Sequence, residues 1–171
     1  KSLAEIAFAA LQAHAWPEGI EPNLDSTASF DPEVYSYPHG THLAAIDVDT
    51  ETGAVAIRIY FAVDDIGNVI NPLIVHGQVH GGLTQGIAQA LFEEAVYDDN
   101  GTLVTGSFVD YLVPSAADLV DFVTDRTESP ALYNELGATG VGEAGTIAST
   151  PAIVNGILEV SFHLLAEVLR D

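Results

Sequence analysis

The 171-residue chain has no cysteine and only four cationic side chains. Without cysteine it holds no disulfide, zinc ribbon, thiol nucleophile or cysteine-ligated iron–sulfur cluster of its own. Only Lys1 is a lysine; the other cations are Arg58, Arg126 and Arg170. So few cations exclude nucleic acid as a partner, because phosphate binding needs clustered Lys and Arg. The same shortage disfavours anionic membrane surfaces. Long apolar runs are also missing. The most apolar stretch near the start, Leu3 to Leu11, is interrupted by Glu5 and is too short to span a bilayer. No signal peptide or membrane insertion is expected, and a soluble, cytoplasmic protein is the default expectation.

What is abundant is acid. Asp and Glu total 25, and the formal net charge is −21. Hydrophobic residues nevertheless make up 48% of the chain, and the mean hydropathy is +0.26. That much apolar surface excludes an acidic disordered tail, and the length suffices for one good core or two small ones. Abundant carboxylates with almost no lysine point to a protein adapted to high salt, where self-repulsion is screened. The alternative is an ordinary acidic mesophilic protein.

The pattern along the chain predicts α+β, with antiparallel hairpins and packed helices. Ser2 to Ala15 reads as a helix opened by a Ser2–Glu5 capping box, with Leu3, Ile6, Ala7, Ala10 and Leu11 on one face. Pro17, Gly19 and Pro22 end it. His42 to Val48 and Ala54 to Val63 read as strands joined by a turn at Thr50-Glu51-Thr52-Gly53, and a second turn follows at Ile66-Gly67-Asn68. Val75 to Ala95 reads as a helix with Val79, Leu83, Ile87 and Leu91 on one face. Its neighbouring face carries Gln78, Gly82, Gln85, Gly86 and Gln89, and glycine is costly inside a helix. Something must approach that backbone closely. Val96 to Val113 reads as a second hairpin turning at Asp98-Asp99-Asn100-Gly101, and Leu119 to Thr124 as a short strand. Glu128 to Ile147 reads as a long loop, and Pro151 to Arg170 as a final helix capped by Ser149 or Thr150.

Several stretches carry candidate chemistry. Gly140-Val141-Gly142-Glu143-Ala144-Gly145 matches G-x-G-x-x-G, but no apolar strand precedes it and too little chain follows for a dinucleotide fold. The same loop reads as a carboxylate, Glu143, presented on a glycine backbone that a ligand can approach. A solvated loop glutamate is the equal alternative. His76 and His80 lie four apart, but Gly77 stands where a zinc protease has its glutamate, so no metal site is expected. Asp98-Asp99-Asn100-Gly101 resembles the start of a calcium loop, yet Ser107 stands where Glu is needed, which favours a hairpin turn. Val75 to Gly82 is the second candidate. A helix start there offers unpaired N–H groups, glycines let a phosphate near, and Gln78 adds an amide for a ring with donors and acceptors. The alternative is a helix whose glycines pack on another helix.

Three stretches in this order carry a resemblance: Asp64-Asp65-Ile66-Gly67-Asn68-Val69-Ile70-Asn71-Pro72, Gly77-Gln78-Val79-His80-Gly81-Gly82-Leu83-Thr84-Gln85-Gly86 and Gly140-Val141-Gly142-Glu143-Ala144-Gly145-Thr146-Ile147. Together they resemble the molybdenum-binding large subunit of the xanthine dehydrogenase and aldehyde oxidase family, most of all the aerobic carbon monoxide dehydrogenase large-subunit type. The match runs from about Pro38 to the C-terminus and more weakly before it. The resemblance implies a single C-terminal portion, residues 1–171, of a molybdopterin-binding domain. It implies substrate oxidation with water-derived oxygen at a molybdenum–pterin centre, the molybdopterin in some members a cytosine dinucleotide. Glu143 matches the family's active-site glutamate, whose implied role is to deprotonate the molybdenum-bound hydroxyl. Gln78 matches the glutamine that contacts the pterin, with Val79, His80 and Gly81 in the same cofactor-binding segment, and Gly142 shapes the glutamate loop. Iron–sulfur clusters and FAD are expected on partner chains: an iron–sulfur small subunit, an FAD medium subunit and the remaining large-subunit segment. Thr139 stands where the family commonly has lysine, and His76 where an acid is frequent. The family's upstream glycine-rich and arginine-containing segments have no match here, so the chain alone is expected to be inactive. The alternative is a non-catalytic remnant that binds a partner or the pterin without chemistry.

Overall fold

The structure is a computed structural model that describes residues 1–12, 14, 17–19, 24–32 and 34–168, with side chains through residue 163. The chain divides into two compact units, Lys1–Pro32 and Glu33–Asp171.

The first unit contains helix α1 (Leu3–Gln12). Its start is the expected capping box: the Glu5 amide donates to Ser2 Oγ at 3.3 Å and the Ser2 amide to Glu5 Oε2 at 2.7 Å. Of the expected apolar face only Ala10 is buried, while Leu3 and Leu11 stay exposed. The expected extension toward Ala15 and the break at Pro22 fall on or beside residues outside the described set.

The second unit is built on a three-stranded sheet in the order β1-β2-β3. Strands β1 (His39–Val48) and β2 (Val55–Asp65) form the expected antiparallel hairpin. Asp49 makes its turn by accepting from the amides of Glu51 and Thr52 at 2.9 and 3.2 Å. Strand β3 (Phe122–Thr127) then pairs parallel to β2, so the sheet is mixed rather than purely antiparallel. It begins three residues later than expected. A 3₁₀ turn at Ala116–Asp118, with Ser115 and Asp118 capping each other, holds the chain before it, and Leu119 and Val120 pack on the core from irregular backbone.

Helix α2 (Pro72–Leu91) links β2 toward β3 and starts three residues before the expected Val75. Asn71 caps it through the amides of Leu73 and Ile74, and Pro72 occupies the first turn, where its missing N–H costs nothing. Helix α3 (Ala144–Val168) starts seven residues before the expected Pro151. Pro151 therefore lies inside the helix, where proline costs about 3 kcal/mol. The two hydroxyls expected to cap it have other work. Thr150 Oγ1 donates to the Gly86 carbonyl at 3.0 Å and Ser149 Oγ to the Thr146 carbonyl at 3.1 Å. Packing against α2 outweighs the lost bond.

The second expected hairpin, Val96 to Val113, shrinks to a single bridge between Tyr97 and Leu103. Side chains replace its ladder. Asp98 accepts from the amides of Asn100 and Thr102 at 2.9 and 2.8 Å, and Thr105 Oγ1 accepts from the Val96 amide and donates to the Glu94 carbonyl. Asp98 thus makes the turn expected in place of a calcium loop.

The core lies between the sheet and the two long helices. Tyr60 and Ala62 of β2 meet Val79, Leu83 and Ile87 of α2 and Ile153 of α3. The four-residue spacing of Val79, Leu83 and Ile87 is the stripe read from sequence.

Candidate functional site

The glycines of α2 divide into two sets. A Cβ on Gly82 would meet the Gly145 Cα and the Thr146 amide nitrogen at 3.0 Å, and one on Gly86 would overlap Ser149, its Cβ 2.8 Å away. A Cβ on Gly145 would in turn overlap the Val79 carbonyl and come within 2.9 Å of the Leu83 amide nitrogen. These glycines are helix-packing glycines: the first turns of α3 press on α2. Two hydroxyl bridges lock the crossing one turn apart, Thr146 Oγ1 to the Gly82 carbonyl and Thr150 Oγ1 to the Gly86 carbonyl, each at 3.0 Å. Thr150 Oγ1 also lies 2.9 Å from Gln89 Oε1. For Gly82 and Gly86 the packing alternative therefore holds.

Gly77, Gly81, Gly140 and Gly142 are the opposite case, since a Cβ on any of them would meet nothing within 4 Å. They are exposed and flank Gln78 and Glu143, whose side chains are exposed as well. Glu143 opens α3: its carbonyl accepts from the amides of Thr146 and Ile147 at 3.0 and 3.1 Å. Because Gly145 is pressed against the Val79 carbonyl, the Gln78–Gly81 turn and the Gly142–Glu143 corner are brought together. Val79 itself is buried in the core and faces inward. The position of Gln78 differs from the sequence reading in one respect. It lies in the second turn of α2, and the amides at the helix start are taken by Asn71 or absent at Pro72. A phosphate held by first-turn N–H groups at His76–Gln78 is thereby excluded.

The His80 ring lies against that of His76, tilted by 40° with centroids 3.9 Å apart, and its Nε2 lies 3.2 Å from Thr124 Oγ1. Burial, and next the neighbouring His76, hold the His80 imidazole below the usual histidine range, which favours the neutral ring. Among the described residues no group of three or more His, Cys, Asp or Glu side chains is placed to hold a metal ion.

A cleft of about 80 Å³ opens where α2 passes the carboxyl ends of the parallel pair β2 and β3, lined by Asp64, His76, Val79, Thr124 and Arg126 among others. Asp64 also lines a second hollow of about 60 Å³ beside Ala144, next to Glu143. Asp64 belongs to a buried network that sequence reading missed. His42 Nε2 lies 3.2 Å from Asp64 Oδ1, and His42 Nδ1 3.1 Å from the Tyr60 hydroxyl. Asp64 Oδ2 is buried without a partner among the described residues. Burial, reinforced by the Asp64 charge, raises the Tyr60 hydroxyl above its ordinary range, so it stays a donor. The alternation of His42 with the apolar β1 positions was the available signal.

Comparison with known proteins settles the family. A family model described as "Molybdopterin cofactor-binding domain" matches residues 1–120. The chain belongs to the molybdopterin cofactor-binding family. Within it, the chain is 36% identical to the carbon monoxide dehydrogenase large chain of Hydrogenophaga pseudoflava, over 96% of this chain and 20% of that one. It is 36% identical to the nicotine 6-hydroxylase large subunit of Paenarthrobacter nicotinovorans, over 91% of this chain and 19% of the other. The fold superposes on a Cu,Mo-CO dehydrogenase structure with a TM-score of 0.79 at 36% identity, covering 92% of this chain and 20% of that one. Quinoline 2-oxidoreductase from Pseudomonas putida 86 gives 0.78 at 39% identity, covering 93% and 21%. The chain thus spans about one fifth of the length of these relatives, and among its described residues no helix is long and apolar enough to cross a membrane.

Proposed function

We propose that this chain forms part of a molybdenum hydroxylase large subunit, in which Glu143 is the base and the Gln78–Gly81 turn of α2 grips the cofactor. One observation carries the reading. The glycines around Gln78 and Glu143 are open, while those at the neighbouring helix crossing are filled by backbone and Ser149. A flat, hydrogen-bonding group such as a pterin fits against backbone bare of Cβ atoms.

When bound, the molybdenum–pterin group supplies the two-electron oxidation of substrate with oxygen derived from water. Gln78 offers a donor and an acceptor on one amide, which suits pterin edges that carry both. Gly81 and Gly142 leave room for approach, and neutral His80 borders the same segment. Glu143 takes a proton at a carboxylate oxygen while its backbone stays fixed at the head of α3. The relatives compared act on carbon monoxide, nicotine and quinoline by their names, so the substrate class here is a small molecule of that range. The cofactor is molybdopterin, with the cytosine dinucleotide form included in the proposal. The expected partners are the remaining large-subunit segment, an iron–sulfur small subunit and an FAD medium subunit, in the cytoplasm.

Elemental analysis and visible absorption of the complex that co-purifies with this chain test the reading. Molybdenum with the absorption of iron–sulfur and flavin groups is the expected result. A colourless, metal-free chain that joins no complex overturns it in favour of a non-catalytic remnant.

A further inference from the structure

Resting on the reading of Glu143 as the base, we propose that Asp65 is a positioning residue which, with Asn68, latches the loop of residues 128–143 and so fixes where Glu143 is presented. Asp65 ends β2 and is 3% exposed. Its Oδ1 accepts from the amides of Gly67 and Ser129, each at 3.0 Å, and its Oδ2 from Thr127 Oγ1 at 2.8 Å. One carboxylate therefore ties together the turn after β2, the last residue of β3 and the root of the loop.

The middle of the loop is held by the same turn. The Asn68 amide donates to the Gly137 carbonyl and the Thr139 amide to the Ile66 carbonyl, both at 2.9 Å. Asn68 Nδ2 donates to the Leu136 carbonyl at 2.8 Å. Gly67 and Gly137 both have positive φ, +65° and +64°. They face each other with no room for side chains: a Cβ on Gly67 would overlap the Gly137 carbonyl, and one on Gly137 would lie 2.6 Å from Asn68 Nδ2. Both positions are thus closed to other residues by conformation and by space.

Beyond Thr139 only Gly140, Val141 and Gly142 separate the latch from Glu143, and on the far side Gly145 is clamped on α2. The corner that carries Glu143 is short, and both its ends are pinned. Fixing a base to a small fraction of an ångström is worth large factors in rate, and a displacement of about 1 Å can cost on the order of a hundredfold.

Amide hydrogen exchange on the full chain tests the latch directly. Asp65→Ala should speed exchange at Asn68, at Thr139 and at Ala131, whose amide also donates to the Gly137 carbonyl at 2.9 Å, by about tenfold or more, while Leu83, Ile87 and Ile153 keep their protection. Asn68→Ala removes only the side-chain bond to Leu136 and should release the same amides to a lesser degree, which keeps the test alive if Asp65→Ala fails to fold. In the assembled enzyme, Asp65→Ala should lower kcat with KM and molybdenum content unchanged. Unchanged loop exchange in both variants overturns the proposal. A uniform loss of protection through the sheet and helices does so too, because Asp65 is then a general stabiliser. If the loop is released as expected but a Glu143→Gln enzyme keeps its turnover, the base assignment fails, and the positioning role falls with it.

Discussion

The carbonyl oxygen of Val79 occupies the space that a side chain on Gly145 would need. That contact joins two segments 66 positions apart, one carrying Gln78 and the other Glu143. It requires glycine at 145, and it makes the α2–α3 crossing the frame of the candidate site.

The two sets of glycines predict opposite responses to the same substitution. Gly86→Ala forces a Cβ into Ser149 and should destabilise the fold by about 1–3 kcal/mol, the usual cost of overpacking. Gly81→Ala meets open space and replaces a poor helix former, so thermal stability should hold or rise by up to about 1 kcal/mol. If Gly81 borders the cofactor, the same variant should retain less molybdenum and pterin. Melting temperature and cofactor content measured on both variants separate the two roles.

Tyr60→Phe removes the hydroxyl that pairs with His42 inside a buried network. It leaves a buried ring nitrogen without its partner and should cost about 1–3 kcal/mol. Denaturant unfolding of the variant measures it, and a shift near zero would show that the bond adds nothing.

Asp65 makes stability depend on acid. Its backbone bond from Gly67, and less strongly those from Ser129 and Thr127, hold the carboxyl well below the usual range against the opposing effect of burial. A depressed folded value means stabilisation is fully present above the unfolded value, about 3.9. It is lost as pH falls through the folded value. The stability gap between wild type and Asp65→Asn should be constant near neutrality and shrink below about pH 4. A gap that is flat down to strong acid contradicts the assignment.

The net charge of −21 should make stability salt-dependent. Repulsion among exposed carboxylates is screened as the Debye length falls from about 10 Å at 0.1 M to about 3 Å at 1 M. The melting temperature should climb over that range. Equal stability at both ends would count against adaptation to high salt.

The readable parts of the fold were those set by local pattern. The capping box at Ser2, the β1–β2 hairpin and the Val79–Leu83–Ile87 stripe all follow from short-range spacing. The glycine face of α2 was visible as an anomaly, but the sequence could not tell that Gly82 and Gly86 meet α3 while Gly77 and Gly81 stay open. The start of α3 was misread because Pro151 and its neighbouring hydroxyls form a persuasive cap. Only the crossing with α2 shows why Ser149 and Thr150 are used otherwise. The second hairpin was misread because Asp98 and Thr105 satisfy the backbone that a strand ladder would have used. The His42–Asp64–Tyr60 network and the bonds of Asp65 to Thr127 and Ser129 join residues 18 to 64 positions apart, beyond any local signal.

Glu143→Gln in the assembled enzyme, with turnover and molybdenum content measured on the same preparation, tests the central claim most directly. The variant keeps the shape of the side chain and removes its proton-accepting charge. Turnover should fall by about two to four orders of magnitude, the usual contribution of a positioned base, while molybdenum content stays near that of the wild type. Turnover retained at wild-type molybdenum content would contradict the account.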